Sequence, residues 1–264
     1  MITCAVSVAD ETWRPWFEAV GNMKTVRDVE CSAAVLAAGP EPLALARRLG
    51  LRVAHARDLL PPDVARYLTE SPARGREDIQ ACLKKTLALC HAAEVGSVCL
   101  QMGLDRIGEA TFQHDLGERV RLLRALMPDA ERLKMTVCVR VRFPRAFPGS
   151  KEWEHAGNLV HDVMHPCCRL ALDLVPGELP HPAEVEKMLR TVCFNTGLVR
   201  LHYQPSAGEQ LDPASQAQWS TALQKHGFKG GVVYCPRLGS EEAIAAVAAQ
   251  IDAWAAAFAP VPAD

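Results

Sequence analysis

The sequence predicts an α/β protein in which eight parallel strands alternate with helices and close into one (β/α)8 TIM barrel, a single domain over residues 1–264. Three observations carry this. Eight short apolar runs recur along the chain, most of them separated by a stretch of helical periodicity. Several are Val-rich without strict polar alternation, as expected of strands covered on both faces. Strand–helix alternation repeated eight times in roughly 250 residues has the size of such a barrel. A doubly wound open sheet would place a glycine-rich turn after its first strand, and VADETWRP is not one.

The strand runs, in order, are Thr3–Ala9, Cys31–Ala37, Leu51–Ala56, Ser97–Met102, Met135–Arg142, Arg169–Leu174, Leu198–Tyr203 and Gly231–Cys235. The helices between them carry their own start and stop signals. Pro42–Arg48 is short and stops at Gly50. Arg76–Val95 sets Ile79, Leu83, Leu87 and Cys90 on one stripe and stops at Gly96. Asp115–Leu126 ends ahead of Pro128, and Glu152–Met164 ends ahead of Pro166. Pro182–Thr191 opens with proline in its first turn, and Ala214–Lys225 ends at Gly227. Ser240–Phe258 opens on an N-cap serine followed by Glu241 and Glu242. Residues 57–75 are the longest irregular stretch and follow the third strand, so in a barrel they would lie over the mouth as a lid or a plain surface loop.

Bulk composition narrows the function. Hydrophobic residues make up 49% of the chain and charged residues 23%, enough for a sizeable core, and the formal net charge of −2 argues against a nucleic-acid face. The longest apolar run, Ala243–Ala259, is broken by Gln250 and Asp252 and reads as an amphipathic helix, not a membrane span. The opening MITCAVSVAD lacks a basic stretch and reads as a first strand rather than a signal peptide. The ten cysteines include no C-x-x-C pair. Cys4, Cys31, Cys99, Cys138, Cys168 and Cys193 lie in or beside strand-like or buried runs, as reduced core thiols of a cytoplasmic protein would.

The ends of the last four strands offer Arg140 and Arg142, then Asp173, then His202, then Cys235 with Arg237. Asp173 sits in an otherwise apolar strand, where it must be either ion-paired or functional. His202 is equally a hydrogen-bonded core histidine or a pocket residue. Arg140 and Arg142 share strand parity and so point to one side, with the barrel interior favoured over the helix layer. Arg237 reads as a solvated loop arginine, and Cys235 as an inert thiol or a nucleophile of lowered pKa. Trp13, Trp16 and Phe17 follow the first strand and either pack the first helix or line the mouth.

The stretches REDIQACLKKTLALCHAAEVGSVCLQMG, LALDLVPGEL, LVRLHYQPSAGEQLD and GFKGGVVYCP, in that order, resemble motifs of the xylose isomerase-like TIM barrels, the sugar-phosphate isomerases and epimerases. That resemblance implies a divalent cation held by Glu, Asp, His and Glu at the ends of strands five to eight. Here Asp173 and His202 stand at the second and third of those positions. The first glutamate position falls on Arg140 or Arg142, the last on Cys235 or its neighbour, and a histidine often found after the aspartate is replaced by Pro176. Arginine cannot ligate a metal. The resemblance also places His55 and Gln101 towards substrate, and Gln204 in the loop after the seventh strand joins them.

The expectation is therefore a sugar isomerase/epimerase-like protein acting on a small polyol, keto-sugar or related carboxylate, with an arginine paired to Asp173 where the metal would be. Asp173, His202 and Arg140 are its candidate catalytic residues. His55, Gln101, Arg142, Gln204, Cys235 and Arg237 are its candidate substrate contacts. No cofactor is expected; the competing expectation is Mn, Mg or Zn on Asp173 and His202. A barrel that has lost chemistry and binds a small anion or a protein partner is the alternative function. A metal-dependent endonuclease would need more His and carboxylate ligands and a basic track.

Overall fold

In the computed structural model, strands β1 (Thr3–Ser7), β2 (Asp28–Ser32), β3 (Arg52–Arg57), β4 (Ser97–Gln101), β5 (Thr136–Arg142), β6 (Cys168–Leu174), β7 (Thr196–Tyr203) and β8 (Gly231–Pro236) pair in chain order, all parallel, with β8 returning to β1 to close the barrel. The structure describes residues 2–70, 73, 75–104, 107, 111–142, 151–174, 189–190, 193–203, 213–238 and 241–258. The (β/α)8 expectation holds.

Two apolar layers follow from strand alternation. Residues such as Val6, Val98, Val137, Val139, Val141 and Leu172 belong to the large cluster shared with the helices. A second, small cluster comprises Ala5, Cys99, Cys138, Ala171, Leu198, Val233 and Cys235, most of them narrow side chains, and it fills the barrel interior. Interiors of such barrels usually hold bulky branched residues. Narrow ones here leave room for longer polar side chains on the axis.

Helix α1 (Trp13–Gly21) buries Trp16 and Phe17, with Trp13 edge-on to Phe17 at 5.4 Å between ring centroids, so the aromatic cluster packs the first helix onto the barrel. Helix α2 (Ala33–Ala37) begins where Ser32 Oγ accepts the backbone N–H of Val35. This corrects the second strand. The apolar run Cys31–Ala37 is a strand end joined to a helix, and the strand itself starts three residues earlier, at Asp28. Helix α3 (Glu41–Arg48) agrees with expectation. The stretch read as irregular contains helix α4 (Pro62–Glu70), which the sequence masks behind Pro61 and Pro62.

Helices α5 (Arg76–Ala92) and α7 (Lys151–Val163) lie close to their expected bounds. Helix α6 (Phe112–Arg132) runs through Pro128 instead of stopping before it. An interior proline costs about 3 kcal/mol. Burial of Leu122, Leu123, Leu126 and Met127 before it and Ala130 after it outweighs that. Helix α8 (Pro213–Lys225) is followed at the C-terminus by a 3₁₀ turn (Glu241–Ala243), helix α9 (Ile244–Ala255) and a second turn (Ala256–Phe258). The Ser240 cap and most of the expected helix 182–191 lie outside the described residues. Among the described residues no helix is long and apolar enough to cross a membrane.

Candidate functional site at the barrel mouth

Cys138 faces the barrel interior, so Arg140, two residues on, does as well. Its Nε and Nη2 both donate to Asp173 Oδ2, at 3.1 and 2.6 Å. Its Nη1 stands 3.9 Å from Asp58 Oδ1. The expected arginine–aspartate pair is thus present, and the arginine is Arg140. Arg142 has the same parity but is exposed at the end of β5, in register with Asp173.

The other oxygen of Asp173 meets a residue that sequence reasoning missed. Arg200, on β7, donates from Nη1 to Asp173 Oδ1 at 2.8 Å. Its Nε and Nη2 fork onto Glu30 of β2, reaching Oε1 at 3.1 Å and Oε2 at 2.8 Å. Arg200 is 2% exposed and Glu30 is fully enclosed. Cys99 Sγ donates weakly to Glu30 Oε1, and Ser7 also hydrogen-bonds this carboxylate. The result is a row of alternating charge, Glu30, Arg200, Asp173, Arg140, running from the axis to the mouth. Two guanidiniums balance two carboxylates, which is how buried charge is tolerated.

The titrations follow from this row. Burial pushes the Glu30 carboxyl up, but Arg200 and the Ser7 hydroxyl outweigh it and bring it down to about 2. Burial acts the same way on Asp173, and Arg200, His202 and Arg140 hold that carboxyl well below the usual range. His202 Nε2 lies 3.3 Å from Asp173 Oδ1, so imidazole and carboxylate form a contact pair at the mouth.

The remaining candidates divide. Gln101 ends β4, exposed, in register with Arg140. Cys235 is buried, its Sγ directed to Val233 O, and burial, only partly offset by Arg200, pushes its thiol up to about 12. Burial of this kind disfavours the thiolate, the nucleophilic form. Arg237 is exposed just past β8. Gln204 and Pro176 lie outside the described residues.

His55 is not at the mouth, contrary to expectation. It pairs in register with Glu30 on one side and with Ser97, the first residue of β4, on the other, and its ring lines a cavity at the N-terminal end of the barrel. The stagger of the strands sets it there. Arg57, two residues on, is the mouth residue of β3: it donates to Val8 O at 2.7 Å and to Asp10 Oδ1 at 3.0 Å, and pairs with Asp58.

No protein-family model and no curated protein sequence matches the chain. Solved structures do. The 3-keto-D-glucoside 4-epimerase from E. coli superposes with a TM-score of 0.71 at 14% identity, covering 97% of this chain and 99% of that one. A D-psicose 3-epimerase from Clostridium cellulolyticum H10, solved with D-tagatose, gives 0.68 at 16% identity over 96% and 97%. A family 2 AP endonuclease from Brucella melitensis gives 0.64 at 16% identity over 94% and 98%. The likeness is one of fold: the chain shares the (β/α)8 barrel of these structures. A fold that spans epimerases and an endonuclease leaves chemistry to the mouth residues.

Proposed function

We propose that this chain is a metal-independent counterpart of the sugar isomerases and epimerases. Its mouth binds a small keto-sugar, polyol or related carboxylate and moves a proton on the carbon beside the carbonyl. The observation that carries this is Asp173 held between two guanidiniums, with His202 against it.

The donor set does not fit a hard divalent cation. Both oxygens of Asp173 and both of Glu30 already accept from arginine. A dication ~4 Å from one guanidinium would be repelled by about 8 kcal/mol at an effective dielectric of 20. Among the described residues no group of three or more His, Cys, Asp and Glu side chains is placed to hold a metal. Arg140 supplies positive charge instead, where enolate charge develops. Asp173, held ionised, is a weak base. His202 then takes the proton from carbon and returns it, with Asp173 compensating the imidazolium that forms between the two steps. The ten free cysteines support a reducing, cytoplasmic setting.

One observation favours the binding-only reading. The carboxylates of the row are all engaged, so the two-sided carboxylate pair of the isomerases has no counterpart there. Hydrogen–deuterium exchange at the carbon beside the carbonyl of a ketohexose panel, in D₂O with chelator, separates the readings. Exchange that disappears in His202→Gln supports proton transfer. Thermal stabilisation by sugar without exchange supports binding alone. Exchange or stabilisation that requires added Mn²⁺, Mg²⁺ or Zn²⁺ overturns the metal-independent proposal.

A further inference from the structure

The opposite end of the barrel holds a cavity of about 510 Å³, within the size range of sites for small metabolites. Its polar lining includes Thr3, His55, Ser97, Thr136, Arg169 and Lys229. We propose that it is a second ligand site, for a small hydroxylated organic anion, a carboxylate or a phosphate ester, which places a hydroxyl on His55 and its anionic group between Arg169 and Lys229. This stands independently of the reading of the mouth.

His55 is the first observation. It is 8% exposed, its Nδ1 is committed to Ser97 Oγ at 2.6 Å, and its Nε2 has no hydrogen-bond partner. A buried polar atom without a partner costs about 1–3 kcal/mol. Burial pushes the imidazole pKa down, so the ring is neutral and Nε2 is a single donor or a single acceptor. A ligand hydroxyl satisfies either.

The charge of the lining is the second. Arg169 donates from Nε to Pro166 O and from Nη1 to Phe194 O and lies over the Phe194 ring at 5.9 Å, so it meets carbonyls and a ring face. Among the described residues no carboxylate lines the cavity beside Arg169 and Lys229. Two cations in such a lining suit an anion. The neighbouring Phe194, 85% exposed, offers an apolar face at the rim for the ligand's carbon skeleton.

The third is the bare backbone of the wall. A Cβ on Gly231 would lie 2.9 Å from His55 Nε2, and one on Gly230 would lie 2.1 Å from Gly197 O. Glycine at Gly231 leaves beside His55 Nε2 the room a side chain would fill.

The test uses the full chain with histidines labelled in ¹⁵N, titrated with glycerol 3-phosphate, lactate and inorganic phosphate. The His55 Nε2 resonance is assigned by its loss in His55→Gln. Glycerol 3-phosphate or lactate should shift that resonance and bind at least fivefold more weakly to Lys229→Ala, whose unliganded melting temperature is unchanged. Arg140→Met, at the mouth, should leave this binding intact. The proposal is overturned if no probe moves the His55 resonance at millimolar concentration. It is equally overturned if binding survives Lys229→Ala but is lost in Arg140→Met.

Discussion

At the mouth, every charge on the axis touches its opposite: Glu30 meets Arg200, Arg200 meets Asp173, and Asp173 meets Arg140. At the other end of the same barrel, Arg169 meets carbonyls and the Phe194 ring, and His55 Nε2 has no hydrogen-bond partner. The same closed sheet thus carries two kinds of polar interior. The compensated row joins β2, β5, β6 and β7 through its own opposite charges. The uncompensated floor leaves hydrogen-bonding capacity for something from outside. Polarity inside a barrel acquires its meaning from the partner on the next strand.

The comparison can be broken most forcefully at Arg200. Arg200→Met should cost about 3–5 kcal/mol in urea unfolding, because it leaves enclosed Glu30 without a guanidinium and Asp173 with Arg140 alone. Adding Glu30→Gln and Asp173→Asn to that variant should recover most of the loss. A single-variant cost below about 1 kcal/mol would show that the row is not tightly enclosed. Acid probes the same row. Glu30 is depressed from its ordinary 4.5 to about 2. A carboxyl depressed on folding contributes stability that is complete above its unfolded value and disappears as pH falls through the folded one. On the order of 3 kcal/mol should therefore be lost between about pH 4.5 and 2, visible as a falling melting temperature, and Glu30→Gln should flatten that slope.

Arg140, one-fifth exposed, is the softer member of the row. Arg140→Met should cost about 1–3 kcal/mol, the worth of charged hydrogen bonds, in chemical denaturation. At the floor, Gly231→Ala should cost about 1–3 kcal/mol by pressing on His55 and Leu198, and should weaken anion binding in calorimetry. The smallest effect belongs to Cys235→Ala, about 1 kcal/mol or less in stability, with no change in sugar-dependent exchange. Lost exchange in that variant would return the thiol to the chemistry.

Much of the barrel was legible because parallel strands covered on both faces write themselves as Val-rich runs. The last four strands were found within a residue or two of their bounds. Legibility failed where charge enters the interior. Glu30 was invisible because Asp28–Glu30 reads as polar surface, while the apolar run that followed drew the strand towards helix α2. Arg200 was skipped although its two-residue spacing from His202 put it on the same face of an apolar strand; that parity was the available signal. His55 was assigned to the wrong end because the stagger between strands is a property of the closed sheet, which no local pattern encodes. Pro128 misled for a related reason: its local cost is real, and packing on both sides exceeds it.

The contact between Glu30 and Arg200 spans 170 positions of the chain. Of the row, the amino-terminal half holds Glu30 alone, while the carboxy-terminal half sets two guanidiniums, Arg140 and Arg200, against the single carboxylate of Asp173, so each half lacks the charge that the other supplies. Closing the ring thereby brings the two halves' opposite charges together.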